Sequence, residues 1–241
     1  MSLIKLPFLA ITTLGIYTNF TPPQPKPDAS LLAPNMTMFE RAFSAVARLY
    51  MGSFKQLLLC SGVVLEAAVI FAAKYPAVPI SGAILKLLVH GPPSLAAKIG
   101  LSPAFLVGFS MVTLGSYTRY RCYRALGQFF TFEVTMSGNH RLITDGPYAY
   151  VRHPSYTSAV ITGIGIGISL ASAGSWFREC RVVDTMWGKA TMVVYLAATL
   201  LGVGVAVLRP AAEDVLLKER FGPQWDAWAQ KVQYRLIPYI Y

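Results

Sequence analysis

The chain has 241 residues, of which 54% are hydrophobic and only 13% charged. This composition, with a mean hydropathy of +0.49, excludes an ordinary soluble domain. The net charge of +10 falls between apolar stretches and forms no basic stripe with interleaved aromatic residues, so we do not expect nucleic acid as a partner.

Four apolar stretches approach the length that ~30 Å of hydrocarbon requires, and a weaker fifth precedes them. In chain order, the predicted spans are residues 3–20, 57–73, 101–117, 155–177 and 190–208. We therefore expect an all-α protein. It should be a polytopic membrane helical bundle of about five transmembrane helices, a single domain over residues 1–241 surrounded by membrane lipids.

The first stretch, residues 3–20, could be a cleaved signal peptide or a retained span. Its only early charge is Lys5, and no small-residue cleavage site precedes the prolines that follow, so we favour a retained span. A proline-rich linker then leads to an amphipathic segment at residues 38–51, which has the pattern of an interfacial helix.

Glu66 lies at the centre of the second span, where a carboxylate is costly unless it faces the bundle or pairs. We favour a buried hydrogen-bonding partner for another helix over a role in substrate binding. The apolar run at residues 80–89 is too short to span and is predicted to be interfacial or re-entrant. The third span should continue past residue 117 and end near Gly127.

Spans four and five are joined by a short loop, residues 178–189, and are predicted to form an antiparallel hairpin. The G-x-G-x-G pattern at residues 163–167 inside span four indicates close helix packing and not a nucleotide loop. Pro210 should end or kink the fifth span. A polar helix is then expected from Ala211 to Phe221, followed by a break at Gly222 and Pro223 and a further helical stretch.

Five spans place residues 21–56, 118–154 and 209–241 on one side of the membrane. That side holds 14 of the 21 basic residues, and basic residues concentrate on the cytosolic side. The count therefore predicts that the polar segment at residues 139–156 and the C-terminal tail share the cytosolic face.

The segment at residues 139–156 reads NHRLITDGPYAYVRHPSY. So polar a segment must lie in water, in the headgroup layer or in a protein-lined cavity, and Pro147 and Pro154 stiffen it. Near the end of the chain, Arg209 and Glu213 are four residues apart and would face the same way on a helix. Alone, such a pair is an ordinary surface ion pair.

Together these motifs form a pattern: H-x-L-I-T-x-G-P-Y-x-Y-V-R-H-P-S-Y, then R-x-x-x-E-[DE], F-G and a late I-P. This order and spacing resembles the isoprenylcysteine carboxyl methyltransferase family and, more distantly, the phospholipid methyltransferases. The resemblance covers residues 127–241 and implies a methyltransferase core there. N-terminal spans and interfacial helices would occupy residues 1–126.

The resemblance further implies a multi-pass enzyme of the endoplasmic reticulum membrane that uses S-adenosylmethionine in a cytosol-facing pocket. Its substrate would be the C-terminal carboxylate of a prenylated cysteine. Carried over by motif position, the catalytic residue that holds this carboxylate is Arg209. The residues implied for cofactor binding are Glu133, His140, Arg141, Leu142, Ile143, Tyr148, His153, Pro154, Ser155, Tyr156 and Glu213.

Two positions depart from the family pattern: Asp214 replaces a glutamate, and Ser158 replaces a glycine. No metal site is indicated, and the cysteines at 60, 122 and 180 are too far apart to suggest a disulfide or metal framework.

The residue types also suit the chemistry directly, since a methyl sulfonium is a strong electrophile and a carboxylate nucleophile needs no general base. A carboxylate acceptor is well matched by an arginine, which can donate two parallel hydrogen bonds to it. Two alternatives stay open: methylation of another lipophilic acceptor (a phospholipid amine or a small lipophilic acid), and a non-catalytic membrane scaffold.

Overall fold

The computed structural model describes residues 2–21, 23, 53–130 and 141–241 of the chain. Within these ranges the protein is all-helical and contains no β-strand, as predicted. The helices are α1 Lys5–Phe20, α2 Ser53–Lys74, α3 Pro79–Leu88, α4 Pro103–Leu126, α5 Pro154–Ala171, α6 Trp176–Glu179, α7 Met186–Phe221 and α8 Pro223–Lys231. Short 3-10 helices lie at Ser2–Ile4, Pro93–Lys98, Gly127–Phe129, Gly146–Ala149 and Val182–Asp184.

Helices α4 and α5 pack closely through glycines. A Cβ atom added to Gly108 would lie 2.6 Å from the Gly165 carbonyl oxygen, and one added to Gly165 would lie 2.7 Å from the Gly108 carbonyl oxygen. Both helices therefore need glycine at this crossing, as is common where helix backbones approach each other. The predicted packing role of the G-x-G-x-G pattern is confirmed at Gly165.

Helix α1 is joined to the bundle near both of its ends by buried polar groups. Lys5 forms a 2.5 Å ion pair with Glu66 of α2 and donates to the Gly174 carbonyl, 2.8 Å away. At the other end, Asn19 donates to the Thr162 hydroxyl of α5 over 2.8 Å. Glu66 is thus a buried partner of another helix, as predicted.

Successive long helices alternate in direction. The start of α1 meets the end of α2 through Lys5 and Glu66, and α4 runs against α5. The Tyr195 hydroxyl of α7 donates to the Gly163 carbonyl of α5, and a Cβ added to Gly167 would lie 3.1 Å from the same tyrosine ring. Helices α5 and α7 therefore form the predicted antiparallel hairpin.

Two stretches in the described part of the chain combine the length and hydropathy typical of a membrane span. They are Pro154–Glu179, with a mean hydropathy of 1.5, and Met186–Phe221, with 2.2. Only 11% of the apolar window of Met186–Phe221 is buried, so α7 exposes an apolar surface that a bilayer would cover. The count of five spans stays a prediction.

Helix α7 continues through Pro210 to Phe221, so of the two outcomes predicted for this proline, an end or a kink of the helix, the end is excluded. A proline inside a helix costs about 3 kcal/mol, and Pro210 is fully buried. The Tyr241 hydroxyl also donates to the Val207 carbonyl one turn earlier, over 3.3 Å. The breaks at Gly127 and Gly222 are where the sequence predicted them.

Two sequence predictions about interfacial segments stay predictions. The interfacial helix expected at residues 38–51 lies outside the described residues. The run at residues 80–89 forms helix α3, and its position relative to a membrane stays a prediction.

Candidate active site

The start of α5 and the polar end of α7 meet at His153. The two ring nitrogens of this histidine face two adjacent carboxylates: Nε2 lies 2.9 Å from Asp214 Oδ1, and Nδ1 lies 3.5 Å from Glu213 Oε2. The polar segment in mid-chain and the C-terminal motif are therefore in contact, although 60 residues separate them in sequence.

This contact changes the protonation of His153. Burial of the side chain opposes the charged form, but the hydrogen bonds to Asp214 and Glu213 outweigh it and raise the pKa of His153 above its ordinary value. Because a carboxylate can only accept, a histidine between two of them is best satisfied with a proton on both nitrogens.

Glu213 is also held by Tyr156, one turn into α5. The Tyr156 hydroxyl donates to Glu213 Oε2 over 3.0 Å, and the rings of Tyr156 and His153 lie 5.9 Å apart. Both neighbours engage Oε2; no residue in the described ranges hydrogen-bonds to Oε1. With 29% of its side chain exposed, Glu213 can accept hydrogen bonds from a bound molecule.

Asp214 is more deeply buried and contacts three basic side chains. Besides His153, it accepts from Arg152 Nη1 and from Arg235 Nε, each over 2.9 Å. Arg152 is therefore paired within the protein. The contribution of Arg235 was missed because nothing in its sequence context distinguishes it from other basic residues of the tail.

Backbone hydrogen bonds fix the C-terminal tail, residues 232–241, beside the site. The amides of Arg152 and His153 donate to the carbonyls of Tyr234 and Arg235 over 2.9 and 2.8 Å. The Thr157 hydroxyl donates to the Leu236 carbonyl over 2.7 Å. The tail therefore forms one wall of the site.

Arg209, the candidate for the substrate carboxylate, is buried one helical turn before Glu213. Its guanidinium is close enough to Glu213 and Tyr156 to act electrostatically on both. The structure thus brings Arg209 to the same place as His153, Tyr156 and Glu213.

A second group of candidates lies in an apolar cluster next to this place. Tyr148 is buried against Trp225 and Trp228 of α8, and Leu142 and Ile143 pack on the same cluster. The two tryptophans are buried packing residues. Charge on Glu213 acts on the Tyr148 hydroxyl, so the cluster adjoins the polar group.

The remaining candidate residues are of three kinds: two at the start of α5, one exposed and two outside the described residues. Pro154 opens α5 as its first residue and is buried, and Ser155 follows in the same turn. Arg141 is exposed at the start of its segment. Glu133 and His140 lie outside the described residues. Ser158, which replaces a family glycine, is accommodated: it is buried and donates to the Ser155 carbonyl over 2.7 Å.

Comparison with known proteins points to one family. The isoprenylcysteine carboxyl methyltransferase (ICMT) family matches residues 106–177, a range that contains most of α4, all of α5 and the R-H-P-S-Y segment. This part of the chain is therefore similar to the ICMT family. No solved structure matches the chain.

Three curated relatives of the chain are informative. The protein-S-isoprenylcysteine O-methyltransferase of Schizosaccharomyces pombe is 35% identical over 103 residues, which cover 37% of this chain and 44% of the relative. Protein-S-isoprenylcysteine O-methyltransferase B of Arabidopsis thaliana is 27% identical over 127 residues, 52% of this chain and 55% of the relative. A probable protein-S-isoprenylcysteine O-methyltransferase of Oryza sativa subsp. indica is 29% identical over 136 residues, which cover 56% of this chain and 61% of the relative.

The chain therefore matches about half the length of these relatives. The ICMT family match also ends before α7 begins. Arg209, Glu213 and Asp214 lie beyond it, so their association with His153 is a finding of the three-dimensional contacts.

Proposed function

We propose that this protein is an ICMT family member and that it transfers a methyl group from S-adenosylmethionine to the C-terminal carboxylate of a prenylated cysteine. The observation that carries the proposal is the contact of His153 and Tyr156 with Glu213, with Arg209 one turn away. Residues of the family-matched segment and of the last long helix thereby form one small polar group between apolar surfaces.

The residues present fit the proposed cofactor. Glu213 offers a partly exposed carboxylate whose hydrogen bonds to described residues engage one oxygen, Oε2, and ribose hydroxyls or an amino group can donate to such an acceptor. Beside it, the apolar cluster of Tyr148, Leu142 and Ile143 suits an aromatic base. When bound, S-adenosylmethionine supplies an electrophilic methyl group on a sulfonium.

The protein's own contribution is orientation and exclusion of water. His153 and Tyr156 fix the Glu213 carboxylate from one side, so Glu213 is held in place before a ligand arrives. Arg209 is buried at the same point. Its planar guanidinium can donate two parallel hydrogen bonds to an acceptor carboxylate. An amine acceptor would be repelled by that charge, which favours an acid over a phospholipid amine.

We further infer a multi-pass position in the endoplasmic reticulum membrane with the site facing the cytosol. The alternating helix directions and the exposed apolar surface of α7 support this position. All site residues lie at the end of the bundle where α4 and α7 end and α5 begins. The Lys5–Glu66 pair lies at the opposite end, and the excess of basic residues predicts that the site end is cytosolic.

The test is a methylation assay on membranes that contain the full chain, with radiolabelled S-adenosylmethionine. The acceptors are N-acetyl-farnesylcysteine with a free carboxylate and its amide. We expect label on the acid only. Cofactor binding without transfer to the acid would reject the prenylcysteine assignment and favour another lipophilic acceptor. Absence of cofactor binding would reject the methyltransferase and favour a scaffold.

A further inference from the structure

A second buried arginine contacts the site from helix α4. Arg119 donates through Nη1 to the Ser155 carbonyl over 2.6 Å and to the Ser155 hydroxyl, and through Nε to the Tyr123 hydroxyl over 3.0 Å. It is only 6% exposed, and burial of a guanidinium is costly unless its donors are used. Neither the sequence pattern nor the proposed chemistry assigns Arg119 a role.

The aromatic side chains around Arg119 restrict its movement. Its guanidinium lies 5.3 Å from the centre of the Phe130 ring, and the Phe130 and Tyr123 rings pack edge to face at 4.4 Å. Such cation–π contacts stabilise a desolvated arginine. The guanidinium is therefore held in one orientation towards the first turn of α5.

A chain of hydrogen bonds connects this arginine to helix α1. The Tyr123 hydroxyl, which accepts from Arg119, donates to the Asn19 carbonyl over 3.2 Å. The Asn19 side chain in turn donates to the Thr162 hydroxyl of α5 over 2.8 Å. Helix α5 is thus held by α4 at its first turn, through Ser155, and by α1 two turns later, through Thr162.

The direction of the bond to Ser155 has a chemical consequence. An arginine guanidinium donates and cannot accept, so the Ser155 oxygen is the acceptor. Its own O–H must then point elsewhere and can donate to another group. In sequence, Ser155 lies between His153 and Tyr156, which both contact Glu213. Arg119, which holds Ser155, is also close enough to the Tyr156 hydroxyl to act on it electrostatically, so Ser155 adjoins the same site.

We propose that Arg119 is a positioning residue that fixes the Ser155 hydroxyl as a hydrogen-bond donor to the bound cofactor. The inference rests on the proposed function, because it takes the site at His153 and Glu213 to be a cofactor site. Arg119 acts through Ser155 and does not itself contact the reacting atoms. A lysine cannot replace it, since one ammonium lacks the planar fork that holds Ser155 and Tyr123 together.

The experiment measures the dissociation constant of S-adenosylhomocysteine by calorimetry, with the full chain in lipid nanodiscs. The variants are Arg119→Gln, Arg119→Lys, Ser155→Ala and the double variant Arg119→Gln/Ser155→Ala. The matched control is Arg121→Gln, because Arg121 lies two residues further along α4, is exposed and contacts only the Tyr117 hydroxyl and ring among described residues.

We expect Arg119→Gln, Arg119→Lys and Ser155→Ala each to weaken binding about tenfold, the size of a lost charge-assisted hydrogen bond. The double variant should bind no more weakly than the poorer single variant, because both changes remove one coupled interaction. Arg121→Gln should bind like the wild type.

Three results would overturn the role of Arg119: unchanged binding in a folded Arg119→Gln variant, wild-type affinity in Arg119→Lys, or losses of affinity that multiply in the double variant. If Arg119→Gln does not fold, Arg119→Lys and Ser155→Ala decide the matter by the same criteria. A wild-type chain that binds no S-adenosylhomocysteine would instead reject the proposed function, and this inference with it. Binding by the wild type that Arg119→Gln leaves unchanged rejects only the inference.

Discussion

Replacing Asp214 by asparagine should destabilise the protein strongly, although the two side chains have nearly the same shape. Asp214 is the carboxylate on which Arg152, His153 and Arg235 converge, each at 2.9 Å. Only 5% of its side chain is exposed. The asparagine variant keeps the volume and removes the charge, so it isolates the electrostatic contribution.

The size of the effect can be bounded from the burial of the partners. Removing one member of a buried ion pair costs about 3–5 kcal/mol, since the remaining charge is left buried without compensation. Two features reduce the loss: His153 can release its proton, and the Arg235 side chain is 32% exposed. We therefore expect about 3 kcal/mol, the lower end of that range.

The neighbouring helix α8 provides a matched control. Asp226 forms an ion pair with Lys218 at 2.8 Å, but their side chains are 43% and 59% exposed. An exposed pair contributes about 0–1 kcal/mol. Asp226→Asn therefore removes a carboxylate from an ion pair of nearly the same length as those of Asp214, 2.8 Å against 2.9 Å. It should leave the stability of the protein almost unchanged.

The assay is thermal unfolding of both variants and the wild type in nanodiscs at neutral pH. For a chain of this size, 3 kcal/mol corresponds to a decrease in Tm of about 6–12 °C, whereas the Asp226 variant should stay within about 3 °C. Equal decreases for the two variants, or an Asp214→Asn variant as stable as the wild type, would refute the reasoning that burial makes Asp214 the dominant ion-pair partner.

Three further predictions concern cofactor, protonation and packing. Glu213→Ala should abolish cofactor binding measured by calorimetry, whereas Arg209→Ala should keep it and mainly raise KM for the carboxylate acceptor; equal cofactor affinity in Glu213→Ala and wild type would reject this division. His153 has a raised pKa, so its stabilisation is complete below its unfolded pKa of about 6.5 and is lost as the pH rises through the higher folded value. The Tm difference between wild type and His153→Gln should therefore shrink as the pH rises from about 6.5 through the raised pKa of His153; a difference that grows with pH contradicts the cationic histidine. Gly165→Leu should separate α4 from α5 and lower the Tm, while Gly202→Leu, where an added Cβ meets no atom within 4 Å, should not; similar decreases would argue against close packing at Gly165.

The sequence predicted which residues meet better than it predicted how the last long helix ends. The polarity of residues 139–156 and the R-x-x-x-E spacing stand out against an apolar background, so His153, Tyr156, Arg209 and Glu213 could be chosen together. Their meeting followed from counting spans and basic residues. Whether Pro210 ends the helix or is accommodated within it could not be decided from the sequence, because its burial depends on elements that are distant in sequence.

Contacts made by residues outside the motifs could not be predicted from the sequence. Arg119 and Arg235 look like ordinary positive residues at the end of a span and in a tail. Their roles depend on which side chain lies opposite, Ser155 for one and Asp214 for the other. Such pairing is set by tertiary packing, whereas motif positions are set by the local chain.

The central claim is that the mid-chain segment and the end of α7 form one cofactor site. The most direct measurement is ultraviolet cross-linking of tritiated S-adenosylmethionine to the full chain in membranes, followed by peptide mapping. We expect label in residues 141–156 or 209–221, and we expect unlabelled S-adenosylhomocysteine to reduce this label by competing for the site. Competable label confined to the N-terminal helices α1–α3 would contradict it.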